Sequence, residues 1–249
     1  MDEDRGTGLP ASFEVAWGVR DRPTKGPKRG LSLEQIVRAG VTVAKAEGVG
    51  ALSMSRVAKE LGTSAMALYR YVASKDELMQ LIVDEGLGEA GTFEVGDGGW
   101  RTELERWAWA ELDAYRRNPW ILQVPIPGPP VTPRNIAFLE QGLRCLAGTP
   151  LSPGEKMSVM LTLTSYVRSW ASVSMQVNEA MSSNGTLVPM DRYGDVLAAV
   201  TTPEEFPALH EVIAARVFEE EEELPDYDFV FGIARLLDGF EALMASRDV

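Results

Sequence analysis

Side chains able to do covalent or metal chemistry are scarce in this sequence. It contains one histidine, His210, and one cysteine, Cys145, on separate predicted helices. Nucleophilic triads and zinc sites need imidazole or thiolate groups gathered at close quarters. The composition therefore argues against an enzyme and against a resident metal or other cofactor. His210, set among acidic neighbours, reads as a surface or interface residue, and Cys145 has no partner for an internal disulfide. Asp and Glu pairs abound, as they would in any acidic helical protein. The residues are better suited to binding. Between Arg20 and Lys75 stand 11 Lys/Arg against 4 Asp/Glu, a net of +7 in a chain of total charge −13, which leaves −20 for the remainder. A basic segment on an acidic body points to an acidic partner such as nucleic-acid phosphate, where Lys and Arg displace counterions. A second concentration is apolar: six Trp and ten Met, enough to fill a core or to line a small-molecule pocket.

The elements that must position these groups read as helices throughout. Ser32-x-x-Gln35, Ser74-x-x-Glu77, Ser152-x-x-Glu155 and Thr202-x-x-Glu205 fit the capping box. Pro153, Pro203 and Pro133 would occupy first helical positions, where a missing N–H costs nothing. Sustained apolar/polar alternation is absent, which predicts an all-α fold. Residues 1–30 mix Gly, Pro and charge and are expected to form a mobile basic arm, although Phe13, Val15 and Trp17 could dock. Gly91 to Gly99 reads as a glycine-rich hinge, Val124 to Pro133 as a proline-rich turn, and Ser182 to Thr202 as a long polar connection. A helix is predicted from Leu31 to about Glu47, ended by Gly48, and a short one from Met54 to Leu61. Gly62 then turns the chain, and Thr63 can cap a third helix over Ser64 to Tyr71. Two short helices joined by a tight turn containing Gly make a helix-turn-helix, whose second helix can enter the DNA major groove.

The residues themselves carry a resemblance. Ala44-Lys-Ala-Glu-Gly48, Leu52-Ser-Met-Ser-Arg-Val-Ala58, Leu61-Gly62-Thr63, Ala67-Leu-Tyr-Arg-Tyr-Val72 and Ser74-Lys75-Asp76-Glu77-Leu78 resemble the DNA-binding domain of the tetracycline-repressor family. Tyr115-Arg-Arg-Asn-Pro-Trp120 and Phe138-Leu-Glu-Gln-Gly-Leu143 are more loosely similar to that family's C-terminal domain of the tetracycline-repressor subtype. The resemblance implies an N-terminal three-helix module over residues 31–75 joined to a larger helical ligand-binding and dimerisation domain over 76–249. It implies phosphate contacts from Tyr69 and Lys75, with Ser53 as a phosphate-binding cap. Base contacts would fall to Ser55 and to Ser64, Ala65, Met66, Ala67, Arg70 and Tyr71. Arg70 suits a guanine, and Met66 or Ala67 a thymine methyl. Ala65, Met66 and Ala67 differ from the tetracycline repressor's Gln, Pro and Thr, so a different operator is expected. Lys25, Lys28 and Arg29 could reach a minor groove or flanking phosphates.

For the body, the resemblance implies a cavity lined by Trp107, Trp120, Phe138, Met157, Met160, Leu161 and Trp170, with Thr164, Ser165 and Arg168 as polar groups. Ser165 stands where the tetracycline repressor has a magnesium-binding histidine, which argues against magnesium-tetracycline as the effector. Phe229, Ile233, Leu236, Phe240 and Leu243, widened by Val230, Ala234 and Leu237, form a stripe too broad for one packed face. The helix from Pro153 to about Met181 is similarly apolar on several sides. Both features predict a homodimer. No apolar run is long enough to span a bilayer, and the acidic N-terminus lacks a secretory apolar region. A cytoplasmic regulator follows, released from a palindromic operator by a small apolar ligand. The alternative is a helical ligand- or partner-binding protein without a DNA role.

Overall fold

The computed structural model describes residues 7–20, 31–88, 93–182, 188–189, 192–218 and 226–247, and among these the regular structure is entirely helical. In chain order the helices are α1 (Ala11–Ala16), α2 (Leu33–Glu47), α3 (Met54–Glu60), α4 (Ala65–Leu68), α5 (Lys75–Leu87), α6 (Gly99–Arg117), α7 (Pro133–Cys145), α8 (Pro153–Ser182), α9 (Tyr193–Val200), α10 (Pro207–Ala214) and α11 (Tyr227–Ala245), with 3-10 turns at Val49–Ala51 and Pro119–Gln123. They fall into two compact units, one running to Ala171 and resuming at Leu236, the other Ser172–Arg235.

Side-chain caps explain several helix starts. At Ser32 both halves of the capping box form: the Gln35 N–H donates to Ser32 Oγ at 3.2 Å and the Ser32 N–H to Gln35 Oε1 at 2.9 Å. Ser152 and Glu155 form the same reciprocal pair ahead of α8. Ser74 completes only half of one. Its hydroxyl accepts from the Glu77 N–H, but the Glu77 carboxylate turns to the Ala73 N–H at 2.6 Å and to the Ser12 hydroxyl. The Thr202 hydroxyl accepts from the Glu205 N–H at 3.3 Å within a turn, and α10 starts later, with Pro207 rather than Pro203 at its beginning. Thr132 contributes no side-chain cap to α7. In its place the buried Asp84 carboxylate, from α5, accepts the N–H groups of Arg134 at 3.1 Å and Asn135 at 3.0 Å. A carboxylate there satisfies orphan donors and meets the positive end of the helix dipole.

Three segments differ from the sequence-based expectation. The segment read as a mobile arm contains α1, because Phe13, 2% exposed, supplies an apolar anchor. Ser12 donates to Glu77 and Trp17 Nε1 donates to the Val131 carbonyl at 2.9 Å, so α1 holds on to both α5 and the loop before α7. The glycine-rich stretch, described from Phe93 onward, is fastened. The Gly96 and Gly98 N–H groups donate to the buried Glu103 carboxylate at 2.8 and 3.2 Å, and Arg106 pairs with it at 2.6 Å. These donors, the Gly96 N–H foremost, hold the Glu103 carboxyl below its usual pKa. Finally, the connection expected over Ser182 to Thr202 includes α9, where Val196, Leu197 and two alanines cluster behind Asp195. Averaging composition over the longer segment hides that run.

Within the second unit, Tyr193 meets Phe218 edge-on with ring centroids 5.1 Å apart. The Thr201 hydroxyl lies 3.0 Å from His210 Nε2, which places the histidine half-buried in a polar contact between α9 and α10. Along α11 the buried positions are Phe229, Ile233, Leu237 and Met244, whereas Leu236, Phe240 and Leu243 are half-buried.

Candidate nucleic-acid interface and effector site

Helix α3 begins where the Ser53 hydroxyl accepts the Arg56 N–H at 3.1 Å. Gly62, at φ 63°, then makes the turn, in a left-handed conformation that side chains with a Cβ resist. The Thr63 N–H donates to the Ala58 carbonyl at 2.9 Å, so Thr63 closes the turn. Ser64 holds the cap position of α4, without a side-chain cap bond. The third helix, expected over Ser64 to Tyr71, is regular only from Ala65 to Leu68. Its end tightens as the Tyr71 and Val72 N–H groups both donate to the Leu68 carbonyl, at 2.8 and 3.1 Å. Leu68, Val57 and Val72 are sealed inside, at most 1% exposed. Sealing them turns Met66 outward at 74% exposed and Tyr69 at 47%, and Arg70 and Lys75 are exposed with them.

Ser53, Ser55 and Ser64 are exposed, while Ala65 and Ala67 are half-buried. The Tyr71 hydroxyl donates to the Leu31 carbonyl, so Tyr71 braces the start of α2 against α4, where the resemblance implied a base contact. Arg56 is likewise occupied: it pairs with Glu47 and, at 2.9 Å, with Glu60. Lys28 and Arg29 lie outside the described residues, as does Lys25.

In the body, α6, α7 and α8 gather Trp107, Phe138 and Met160, all buried. The rings of Trp107 and Phe138 stack 4.4 Å apart at 14°, and Trp107 Nε1 donates to the Phe138 carbonyl at 3.0 Å. Gly142 makes room: a Cβ there would stand 2.1 Å from Met160 Cε and 3.0 Å from Trp107 Cε2. One helical turn on come Glu111 and Thr164, and a further turn brings Tyr115 and Arg168. The Tyr115 hydroxyl donates to Glu111 Oε1 at 3.0 Å. Burial pushes the Glu111 carboxyl up to about 8, against the opposing pull of the Tyr115 and Thr164 hydroxyls and the Arg168 charge. Burial raises the Tyr115 hydroxyl too.

Met157, Leu161 and Ser165 do not join this cluster. At four-residue spacing they lie on the exposed side of α8, with Leu161 70% exposed, while Met160, Leu163 and Val167 face inward. A shift of one residue rotates a helical side chain by about 100°, enough to exchange pocket for surface. Trp170 is half-buried beneath the Arg116 guanidinium, 5.8 Å from its ring centroid.

The Arg168 guanidinium lies over the Tyr115 ring and is anchored by backbone. Its Nη2 donates to the carbonyls of Ile121, Leu122 and Val124 at 3.3, 3.3 and 2.9 Å. That pins the 3-10 turn whose Trp120 presses on α5: a Cβ on Gly86 would lie 2.7 Å from the Trp120 ring and 3.1 Å from Ile121. Asn118 Nδ2 donates to the Gly86 carbonyl at 2.7 Å, and Trp120 Nε1 to Asn118 Oδ1 at 3.3 Å. Trp120 is therefore a wedge on α5. Sequence reasoning passed over Glu111, Tyr115, Asp84 and Asn118. A signal existed for the first two: Trp107, Glu111 and Tyr115 recur at four-residue spacing, which places a carboxylate on an otherwise aromatic stripe.

Comparison with known proteins bears on both sites. Residues 36–82 match the bacterial regulatory proteins of the tetR family, and residues 93–244 match the tetracyclin repressor-like C-terminal domain. The HTH-type transcriptional repressor DrrR1 of Streptomyces coeruleorubidus is 36% identical over 98% of this chain and 90% of its own length. The class A tetracycline repressor protein from transposon 1721 of Escherichia coli is 26% identical over 84% of this chain and 90% of its own. In fold, the chain is similar to ActR of Streptomyces coelicolor in complex with actinorhodin, with a TM-score of 0.73 and 22% identity across 87% of this chain and 98% of that one. With matches to both halves of the fold and a near full-length repressor relative, the chain belongs to the tetracycline-repressor family of DNA-binding transcriptional regulators.

Proposed function

We propose that the chain acts in the cytoplasm as a homodimer, holds a short, nearly palindromic operator through residues 31–75, and releases it when a small, largely apolar ligand enters the body formed by residues 76–249. The observation that carries the reading is the outward set Met66, Tyr69, Arg70 and Lys75 on a helix-turn-helix whose inward residues are sealed. Tyr69, Lys75 and the Ser53 turn face phosphate in this reading. Arg70, Met66, Ser55, Ser64, Ala65 and Ala67 meet base edges, and Lys28 and Arg29 reach the flanking DNA.

In the body, Trp107, Phe138, Met160, Thr164 and Trp170 stand closest to the ligand. Met157, Leu161 and Ser165, exposed along α8, fit the dimer interface better than the pocket. The ActR complex with actinorhodin supports a helical body that accepts a small ligand. A ligand shifts DNA affinity only by preferring one spacing of the two recognition helices. Helix α5 lies between the two sites: Lys75 opens it on the DNA side, and Asp84 and Gly86 engage α7 and Trp120.

The test is operator binding by variants. Lys75→Ala or Tyr69→Ala should weaken binding to every sequence and flatten its salt dependence. Arg70→Ala should cost about 1–3 kcal/mol and also relax preference at one base of each half-site. Three variants that bind like the wild type in a salt titration would sink the reading.

A further inference from the structure

Among the described residues, the one buried side-chain N or O atom without a hydrogen-bond partner is Glu111 Oε2. Native proteins seldom leave such an atom unpaired, and each case calls for an occupant or a purpose. The other oxygen of this carboxyl accepts from Tyr115, and the Thr164 hydroxyl is bonded to the same carboxyl. Burial keeps the group mainly neutral near pH 7, since it titrates only at about 8. A neutral carboxyl whose Oε1 already accepts carries its proton on Oε2, the oxygen left without a hydrogen-bond partner among the described residues.

The surroundings select what could receive it. The Arg168 guanidinium acts on the Glu111 carboxyl and is itself fixed by three backbone carbonyls and by the Tyr115 ring, 5.7 Å from its centroid. A fixed cation beside the site disfavours a second cation and favours an electron-rich acceptor. One turn away on α6 and α8 lie Trp107 and Met160, with Phe138 of α7 stacked on the Trp107 ring, a buried apolar and aromatic cluster.

We propose that Glu111 Oε2 is the polar subsite of the effector pocket, donating a hydrogen bond to the carbonyl oxygen of a flat, uncharged aromatic ligand that extends toward Trp107, Phe138 and Met160. The proposal rests on the reading of the body as ligand-binding. It also gives the ligand a short route to α5. Tyr115 and Arg168 share the cluster, and Arg168 holds the turn that carries Trp120 against Gly86.

Three probes of one skeleton test it: fluorene, 9-fluorenone and protonated 9-aminofluorene, measured by equilibrium dialysis against the full-length protein without DNA. In the wild type 9-fluorenone should bind about tenfold tighter than fluorene, the net worth of one buried hydrogen bond, and 9-aminofluorene should bind weakest. Glu111→Gln retains an N–H donor and should keep the preference, whereas Glu111→Met should abolish it. Circular dichroism checks that each variant is folded. If the Met variant does not fold, the wild-type and Gln series decide. Equal binding of fluorene and 9-fluorenone, tightest binding of 9-aminofluorene, no binding of any probe, a preference that survives in Glu111→Met, or one lost in Glu111→Gln would each overturn the subsite. Because the dialysis contains no DNA, failure there leaves operator binding standing, and failure of operator binding leaves the dialysis result intact.

Discussion

A buried carboxyl that keeps its proton at neutral pH leaves a signature in folding. The Glu111 group titrates at about 8 in the folded chain against an ordinary 4.5. Below 4.5 both folded and unfolded chains hold the proton, and the group's stabilising contribution is complete. Between 4.5 and about 8 the folded chain keeps a proton that the unfolded chain has lost, so stability falls as pH rises. Glu111→Gln should remove that slope. Its melting temperature relative to wild type is expected to rise from about pH 5 to about pH 8, and parallel melting curves across the range would contradict the assignment. At this scale the sequence was informative about outward residues and poor about inward polar ones. Tyr69 and Arg70, beside the sealed Leu68, are exposed, as the apolar pattern foretells. Tyr71 is spent on the Leu31 carbonyl, 40 residues away, and no local pattern announces such a partner.

Among the elements, α5 is held by its neighbours at both ends of its second half. Asp84 caps α7 and Gly86 receives Trp120. Gly86→Ala would drive a methyl group to within 2.7 Å of the Trp120 ring, an overpacking expected to cost about 1–3 kcal/mol. A lower melting temperature is expected, recovered in part by adding Trp120→Phe. An unchanged melt for Gly86→Ala would mean that the wedge is looser than its geometry. The helices α2, α3, α5, α7, α8 and α11 lie close to where capping boxes, glycines and apolar periodicity put them. What escaped were elements and caps fixed by distant residues. Helix α1 depends on Glu77 and Val131, the cap of α7 on Asp84, and the fastening of the glycine-rich stretch on Glu103. In the body, the burial of Trp107 and Met160 was legible from helical spacing, but the rotation of α8 that turns Leu161 and Ser165 outward was set by packing.

For the whole molecule, the charge division matters more than the total. A segment of net +7 within a chain of −13 gives an acidic protein one basic stretch with which to meet an acidic polymer. The exposed apolar residues Met157 and Leu161, one turn apart on the first half of α8, leave a face that the proposed dimer would cover. Leu161→Asp adds charge without touching the core, so the protomer should stay folded while sedimentation shifts from dimer to monomer. A wild type that sediments as a monomer at micromolar concentration would end the dimer reading. Helix α1 carries a different consequence. Six residues are too few to hold a helix in water, so α1 exists only as long as Phe13 is seated. It behaves as a peptide ligand carried on the same chain as its receptor, so its seating is an intramolecular event. That occupancy does not fall when the protein is dilute, and a free peptide of the same sequence would compete with it poorly.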